Sequence, residues 1–279
     1  RKREGAGVPL EDVTTLPYAG YLDGGDGLEY FEAVLRDKSS GLDKPAAVIL
    51  ETIQAEGGVN VAPVAWLQRL RELTASNGII LVVDDIQVGC GRTGTFFSFE
   101  HAGIEPDIIC LSKSLSGYGL PLSMVLIRPE LDLWSPSEHN GTFRGHNLAF
   151  VTATAALELF WSSDELTQTI AERAEQLDAQ LARWTRYGKI KGRGLIRGIE
   201  LPHGPAADVA REAFERGVLI ETAGAQDEVL KFLPPLVIEP EQLERALSVI
   251  DFVLRRQFGG RHSLSSLTAP EQREDQSAC

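Results

Sequence analysis

Four strand-length runs in which nearly every residue is apolar constrain this chain most: AAVILE (46–51), IILVV (79–83), DIICL (107–111) and SMVLI (123–127). A strand that meets water on one face alternates apolar with polar residues, whereas a run without alternation is buried on both faces. Burial on both faces demands helices above and below the sheet, and helical patterns do fall between the runs. The clearest spans about Pro63 to Ser76, with proline suited to a first turn and Asn77-Gly78 to a helix end. Strands alternating with helices favour parallel pairing through crossover connections. The expected fold class is α/β, a mostly parallel sheet covered by helices.

The pattern changes in the second half. NLAFVTATAALELFW (147–161) predicts a well-packed helix of small and apolar residues, and a longer helix follows over about Asp164 to Trp184. Beyond it, KIKGRGLIRGIEL (189–201), GVLIET (217–222) and EVLKFLPPLVI (228–238) are short strands bounded by glycine and proline, with helices near Ala206–Arg216 and Pro240–Arg256. This divides the chain into a large domain over 1–184, a small α+β domain over 185–258, and a polar, aperiodic tail over 259–279 expected to lack structure.

Charge and cysteine usage narrow the setting. With 27 Lys and Arg against 40 Asp and Glu, the 279-residue chain carries a net charge of -13, which repels phosphate backbones and anionic membranes. Nucleic acid is not expected as a partner. The three cysteines form no C-x-x-C pair and their odd number does not suit a disulfide framework, so a reducing, cytoplasmic setting is expected. No run of about 18 apolar residues is present to span a bilayer. The first residues, RKREGAGVPL, include no Met and no charged-then-apolar leader.

In open parallel sheets ligands bind beyond the carboxyl ends of the strands, so the residues that follow each apolar run matter most. After IILVV come Asp84, Asp85, Ile86 and Gln87; after DIICL come Ser112, Lys113 and the small residues of SLSGYG. Alternation points Asp84 and Asp85 in opposite directions, so one of them at most faces a given ligand. A lysine in a loop of small residues suits imine chemistry if burial favours its neutral amine. A carboxylate opposite would keep a pyridine nitrogen protonated and make that ring an electron sink. Taken alone, the same residues also fit a solvated lysine and an acidic pair that caps a helix or binds a metal, although no His or Cys converges on such a metal.

A longer stretch, LVVDDIQVGCGRTGTFFSFEHAGIEPDIICLSKSLSGYGLPLSMVLI (81–127), resembles the signature block of the class III aminotransferases, which have the type I pyridoxal-phosphate fold. The resemblance implies pyridoxal 5'-phosphate as cofactor. It makes Asp84 the partner of the ring nitrogen, Ile86 a packing contact on the ring face, Gln87 a contact of the ring hydroxyl and Lys113 the lysine that forms the Schiff base. Asp85 stands where the family usually has Glu. ILETIQAEGGVN (49–60) resembles the family's substrate-side strand and loop, making Glu56 a gate beside the substrate and leaving Glu51 a structural role. EHNGTFRGHNLAF (138–150) resembles the loop whose threonine, here Thr142, reaches the cofactor phosphate of a neighbouring subunit, which implies a homodimer or larger homo-oligomer. KFLPPLVI (231–238) resembles the segment where many members carry an arginine for the substrate carboxylate. Here the residue is Lys231, a point charge that cannot form arginine's bidentate fork.

The resemblance covers about Val8 to Arg256 and implies that a substantial N-terminal portion, including a phosphate-binding loop, lies outside this sequence. Details in the same stretches are most similar to the family members that form diaminobutyrate, and so imply L-glutamate and 2-oxoglutarate on one side of the reaction and an amino-aldehyde, L-aspartate 4-semialdehyde, on the other. Ornithine, 4-aminobutyrate and other diaminobutyrate enzymes share the core block and stay open, as does a non-catalytic chain that only associates with longer subunits.

Overall fold

The apolar runs become strands in the order expected, but not all in the same direction. The structure, a computed structural model, describes residues 12–22, 26–117, 119–142, 144–202 and 204–259. Its first part contains α1 (Gly27–Arg36), β1 (Ala47–Leu50), the short antiparallel pair β2 (Ile53–Gln54) and β3 (Asn60–Val61), α2 (Val64–Ser76), β4 (Ile80–Asp84), β5 (Ile108–Leu111) and β6 (Met124–Ile127). Then come α3 (Asn147–Phe160) and α4 (Glu165–Trp184), followed by β7 (Lys189–Arg193), β8 (Ile196–Glu200), α5 (Ala206–Glu215), β9 (Glu221–Ala223), β10 (Val229–Phe232) and α6 (Pro240–Phe258). The first sheet has the order β1-β4-β5-β6, parallel across its first two pairings and antiparallel at the last. The mostly parallel sheet expected is observed, with the reversal confined to β6; the burial on both faces that the unbroken apolar runs predict does not hold for β1 and β6, where Ile49, Met124, Val125 and Leu126 are exposed.

Local chemistry explains the helix ends. Asp26 caps α1 by accepting the Leu28 N–H at 2.9 Å, with Glu29 in the first turn and Arg36 in the last, as the helix dipole favours. Pro63 directly precedes α2, and Asn77 closes it before Gly78 takes a φ of +63°.

The second sheet, β7-β8-β10-β9, is wholly antiparallel and builds its own core with α4, α5 and α6. Ile170, Leu177, Leu181 and Trp184 of α4 are buried there against Leu195, Ile199, Leu230, Ile250 and Val253. The boundary expected at 184/185 therefore falls at the end of a helix whose apolar stripe belongs to the C-terminal core. The tail expected from residue 259 lies, from residue 260 on, outside the described residues, as do residues 1–11.

A third cluster joins the two sheets: Ile53, Ala55, Val59 and Val88 pack on Ile196, Ala223 and Val229. The backbones approach closely here. Gly58 has a φ of +110°, and a Cβ on it would lie 3.3 Å from the Cα of Gly224. Polar bonds reinforce the joint: the buried Arg92 donates to the carbonyls of Leu195 and Pro234, and Arg193 donates to the Ser98 carbonyl at 2.8 Å. At the other margin, Met124, Val125 and Leu126 of the edge strand β6 and Leu148, Val151 and Leu159 of α3 are exposed.

The turn after β4 is fixed by Asp85. Its carboxylate is 1% exposed and accepts from the Ser98 N–H at 3.0 Å and from the Ser98 hydroxyl, which also meets the Thr52 hydroxyl at 2.5 Å. Burial pushes the Asp85 carboxyl up to about 6, against the pull of the two Ser98 bonds. The folded chain thus holds a proton that the unfolded chain releases, and this contribution is complete below about 3.8 and lost as pH rises through about 6.

Two outcomes are expected. Trp184→Ala should lower unfolding free energy by about 3–5 kcal/mol, since it empties a core site and removes the indole N–H that Asp251 accepts at 2.8 Å beside its ion pair with Arg255; a loss under about 1 kcal/mol in urea titration would remove α4 from that core. Asp85→Asn, which cannot titrate, should gain on the parent chain as pH rises from about 4 to about 7. A constant difference across that range would show that ionisation of Asp85 is not linked to folding.

Candidate active site

Parallel pairing sends three chain segments out at one end of the first sheet. Leu50 aligns with Val83, so Glu51 leaves β1 beside Asp84, and Asp84 in turn aligns with Cys110 of β5, three residues before Lys113. Asp84 is half-buried, and its Oδ1 accepts the Ile86 N–H at 3.1 Å. Asp85 points away into its buried bond with Ser98, so of the acidic pair only Asp84 is turned to this end.

Lys113 opens a single 3-10 turn, Lys113–Ser116, with a φ of +48°. A residue with a Cβ rarely adopts that backbone conformation. The turn is held from both sides: the Ser112 hydroxyl donates to the Leu122 carbonyl at 2.6 Å, and Gly117 lies so near α3 that a Cβ on it would come 2.4 Å from the Cβ of Ala156. The Lys113 side chain itself is exposed. Imine chemistry favours a buried lysine, and among the described residues that burial is not provided.

Glu51 connects these groups electrostatically. Burial raises its carboxyl above the usual range, the Ala55 N–H draws it down, Asp84 and Glu56 raise it further, and Lys113 lowers it. Asp84, Glu56 and Lys113 thus all act on Glu51. Tyr18 closes the arrangement from behind: its hydroxyl donates to the carbonyls of Glu51 and Thr52 at 2.9 and 3.0 Å, and burial raises its own pKa further.

A second cluster lies one side chain away. Lys231 on β10 is 1% exposed, yet its Nζ is 2.5 Å from Glu56 Oε1 and 3.1 Å from Glu221 Oε2. Gln87 joins both groups, accepting from Lys231 Nζ at 3.4 Å and donating to Glu56 Oε1 at 3.1 Å. Glu56, Gln87 and Lys231, expected from three separate stretches, are therefore brought into contact. Gln87 turns its amide to this cluster.

Glu221 escaped the sequence reading. Its position follows from the β9–β10 register, in which Glu221 faces Lys231 directly, and the pairing of GVLIET with EVLKF across a short turn was the available signal. Thr142, by contrast, is exposed in the segment between β6 and α3, and no contact links it to the Asp84–Lys113 end among those described. Ile86 is half-buried directly after the acidic pair.

This donor set fits the pyridine end of pyridoxal phosphate: a carboxylate for a ring nitrogen and a primary amine for an aldehyde stand at adjacent strand ends, and an amide lies between them and a charged cluster. Among the described residues, no group of three or more His, Cys, Asp or Glu could hold a metal ion, and no helix is long and apolar enough to cross a membrane.

Comparison with known proteins identifies the family. The profile of the class III aminotransferases matches residues 7–254. The diaminobutyrate–2-oxoglutarate transaminase of Vibrio cholerae is 55% identical over 258 residues, which are 90% of this chain and 62% of that protein. The enzyme of the same name from Halomonas elongata is 51% identical over 261 residues, with the same coverage. The chain thus spans less than two thirds of the length of these relatives. Among solved structures, the N-acetylornithine aminotransferase of Stenotrophomonas maltophilia superposes with a TM-score of 0.68 at 33% identity, covering 77% of this chain and 58% of that one. The ornithine delta-aminotransferase of Plasmodium falciparum gives 0.73 at 27% identity, covering 82% and 59%. The sheet of β1, β4, β5 and β6 with its helices is accordingly that of the type I pyridoxal-phosphate enzymes. With nearly its whole length matched and its charged strand ends arranged as described, the chain belongs to the class III aminotransferase family.

Proposed function

We propose that this chain carries the reacting groups of a pyridoxal-phosphate-dependent aminotransferase. The observation that carries the reading is the placement of Asp84 and Lys113 at the carboxyl ends of neighbouring parallel strands. When bound, the cofactor supplies an aldehyde for imine formation and a ring that draws electrons from the substrate carbon. Lys113 would be the amine that engages this aldehyde and, with its amine free, the base that moves a proton at the substrate carbon. Asp84 holds the ring nitrogen protonated across a charge-assisted hydrogen bond. Ile86 would pack against the ring, and Thr142, in its exposed segment, would help hold the phosphate bound by a neighbouring subunit of a homodimer or larger homo-oligomer.

The finer reading concerns the substrates. L-Glutamate gives its amino group and leaves as 2-oxoglutarate; L-aspartate 4-semialdehyde receives it at the terminal aldehyde and leaves as L-2,4-diaminobutyrate, as in ectoine biosynthesis in the cytoplasm. The names and 46–56% identity of the diaminobutyrate relatives support this choice over ornithine enzymes, whose structures are 27–34% identical. Glu56 and Lys231 stand on the substrate side. Lys231 receives a carboxylate as a point charge, after a carboxylate now paired with it gives way.

Borohydride reduction of the chain with pyridoxal phosphate, followed by peptide mass spectrometry, should find the phosphopyridoxyl group on Lys113. Label spread over surface lysines, or none, would overturn the reading for this chain. Asp84→Asn should keep the adduct yet lower the rate of amino transfer roughly 100-fold or more, because a transition-state charge loses its partner.

A further inference from the structure

Asp84 does not hold its own direction. Among the described residues its side chain makes one hydrogen bond, accepting the Ile86 N–H on Oδ1 at 3.1 Å. A bond between residues two apart shapes a local turn but does not aim that turn within the fold. The aim comes from the next residue. The Asp85 N–H donates to the Cys110 carbonyl at 3.0 Å, which extends the pairing with β5 just past Asp84, and the Asp85 carbonyl accepts the Gly89 N–H at 2.9 Å. Successive side chains of an extended strand point to opposite sides. Whatever keeps the Asp85 side chain turned inward therefore keeps Asp84 turned out to the Lys113 end.

Asp85 is kept inward by more than burial. Ser98 engages both of its oxygens, one through the N–H at 3.0 Å and the other through the hydroxyl, and the Thr52 hydroxyl stands 2.5 Å behind that hydroxyl. Ser98 and Thr52 are buried, so a bond broken by rotation of the carboxylate is not replaced by one to water. Both partners are fixed from elsewhere. The Ser98 carbonyl accepts from Arg193, the last residue of β7, at 2.8 Å, and the Thr52 carbonyl accepts the Tyr18 hydroxyl and the Ala62 N–H, each at 3.0 Å. The space is matched as well: a Cβ on Gly89 would lie 2.8 Å from Asp85 Oδ2. The exit of β1, the 3-10 turn Ser98–Ala102 and the second sheet thus converge on one carboxylate that is turned away from the Lys113 end.

We infer that Asp85 is the positioning residue of Asp84: its two bonds to Ser98 hold the strand end so that the Asp84 carboxylate stays turned to the Lys113 end, where the ring nitrogen of the cofactor would meet it. This deepens the proposed function, in which Asp84 is that partner, and rests on it. Asp85 acts through geometry, so a side chain that keeps the bonds without the charge serves in its place.

The test measures, by calorimetry, equilibrium binding to the chain of pyridoxal phosphate and of its deaza analogue, in which C–H replaces the ring nitrogen. The ratio of the two affinities reads the Asp84 contact, because a general loss of packing weakens both compounds together. The unsubstituted chain should prefer pyridoxal phosphate. Asp85→Ala should lower that preference roughly tenfold, the worth of one charged hydrogen bond, and Asp85→Asn, which still bonds the Ser98 N–H and hydroxyl, should restore most of it. Ser98→Ala spares the carboxylate and removes one bond; it should lower the preference roughly threefold or more and serves where Asp85→Ala does not fold. In an Asp84→Asn background neither substitution should change the ratio further. A ratio that Asp84→Asn lowers but Asp85→Ala and Ser98→Ala leave intact would overturn the inference and leave the proposed function standing. Binding of neither compound, or a ratio that Asp84→Asn leaves intact, would overturn the proposed function. Hydrogen exchange at the Ile86 amide, which needs no cofactor, would then decide the role of Asp85: faster exchange in Ser98→Ala supports it, and an unchanged rate sinks it.

Discussion

Parallel pairing of β1, β4 and β5 is the constraint on which the remaining chemistry depends. Because all three strands run the same way, their carboxyl ends open on one side, and whatever follows them is gathered there regardless of separation in sequence. Glu51, Asp84 and Lys113 come from three segments spread over more than sixty residues, yet they share one electrostatic environment. A meander of antiparallel strands would have sent alternate ends to opposite sides. The antiparallel β6 costs nothing in this respect, since it enters after Lys113 and returns the chain beside β5.

The second requirement is that the C-terminal sheet be held at a fixed position against this end. Three kinds of contact do so: an apolar joint between the β2–β3 segment and the second sheet, the arginines Arg92 and Arg193 that donate to carbonyls across the gap, and the Lys231 ion cluster. The apolar joint supplies attraction without direction. The hydrogen bonds and ion pairs supply register, because each is satisfied in one geometry only. Arg92 illustrates the cost: burial draws its pKa down to about 10, and its partners are carbonyl dipoles instead of a carboxylate.

The sequence made some of this legible for reasons that can be stated. Unbroken apolar runs mark strands, so β1, β4, β5 and β6 could be located within a residue or two; burial on both faces did not follow for β1 and β6, where Ile49, Met124, Val125 and Leu126 are exposed. Alternation along a strand forced Asp84 and Asp85 apart, and the structure has one buried on Ser98 and the other at the strand end. Direction was another matter. SMVLI carries no mark that it runs against its neighbour, and α4 carries no mark of which core receives its stripe. Glu221 was missed for a similar reason: the pairing of GVLIET with EVLKF was legible, but the partner of each strand residue depends on hairpin register, which the sequence left open. The exposure of Lys113 was beyond reach too, since burial is a property of everything packed around a site and not of the residues that form it.

The backbone at Lys113 has a consequence of its own. Its φ of +48° is one that glycine or asparagine adopts readily and lysine does not. A residue chosen for folding alone would be one of those two, and keeping lysine there forfeits on the order of 1 kcal/mol. The fold is therefore built against its own local preference at the position proposed to anchor the reaction. Replacing it by glycine would relieve that strain and would remove the amine proposed to engage the cofactor, so local stability and the proposed chemistry pull in opposite directions at this one position.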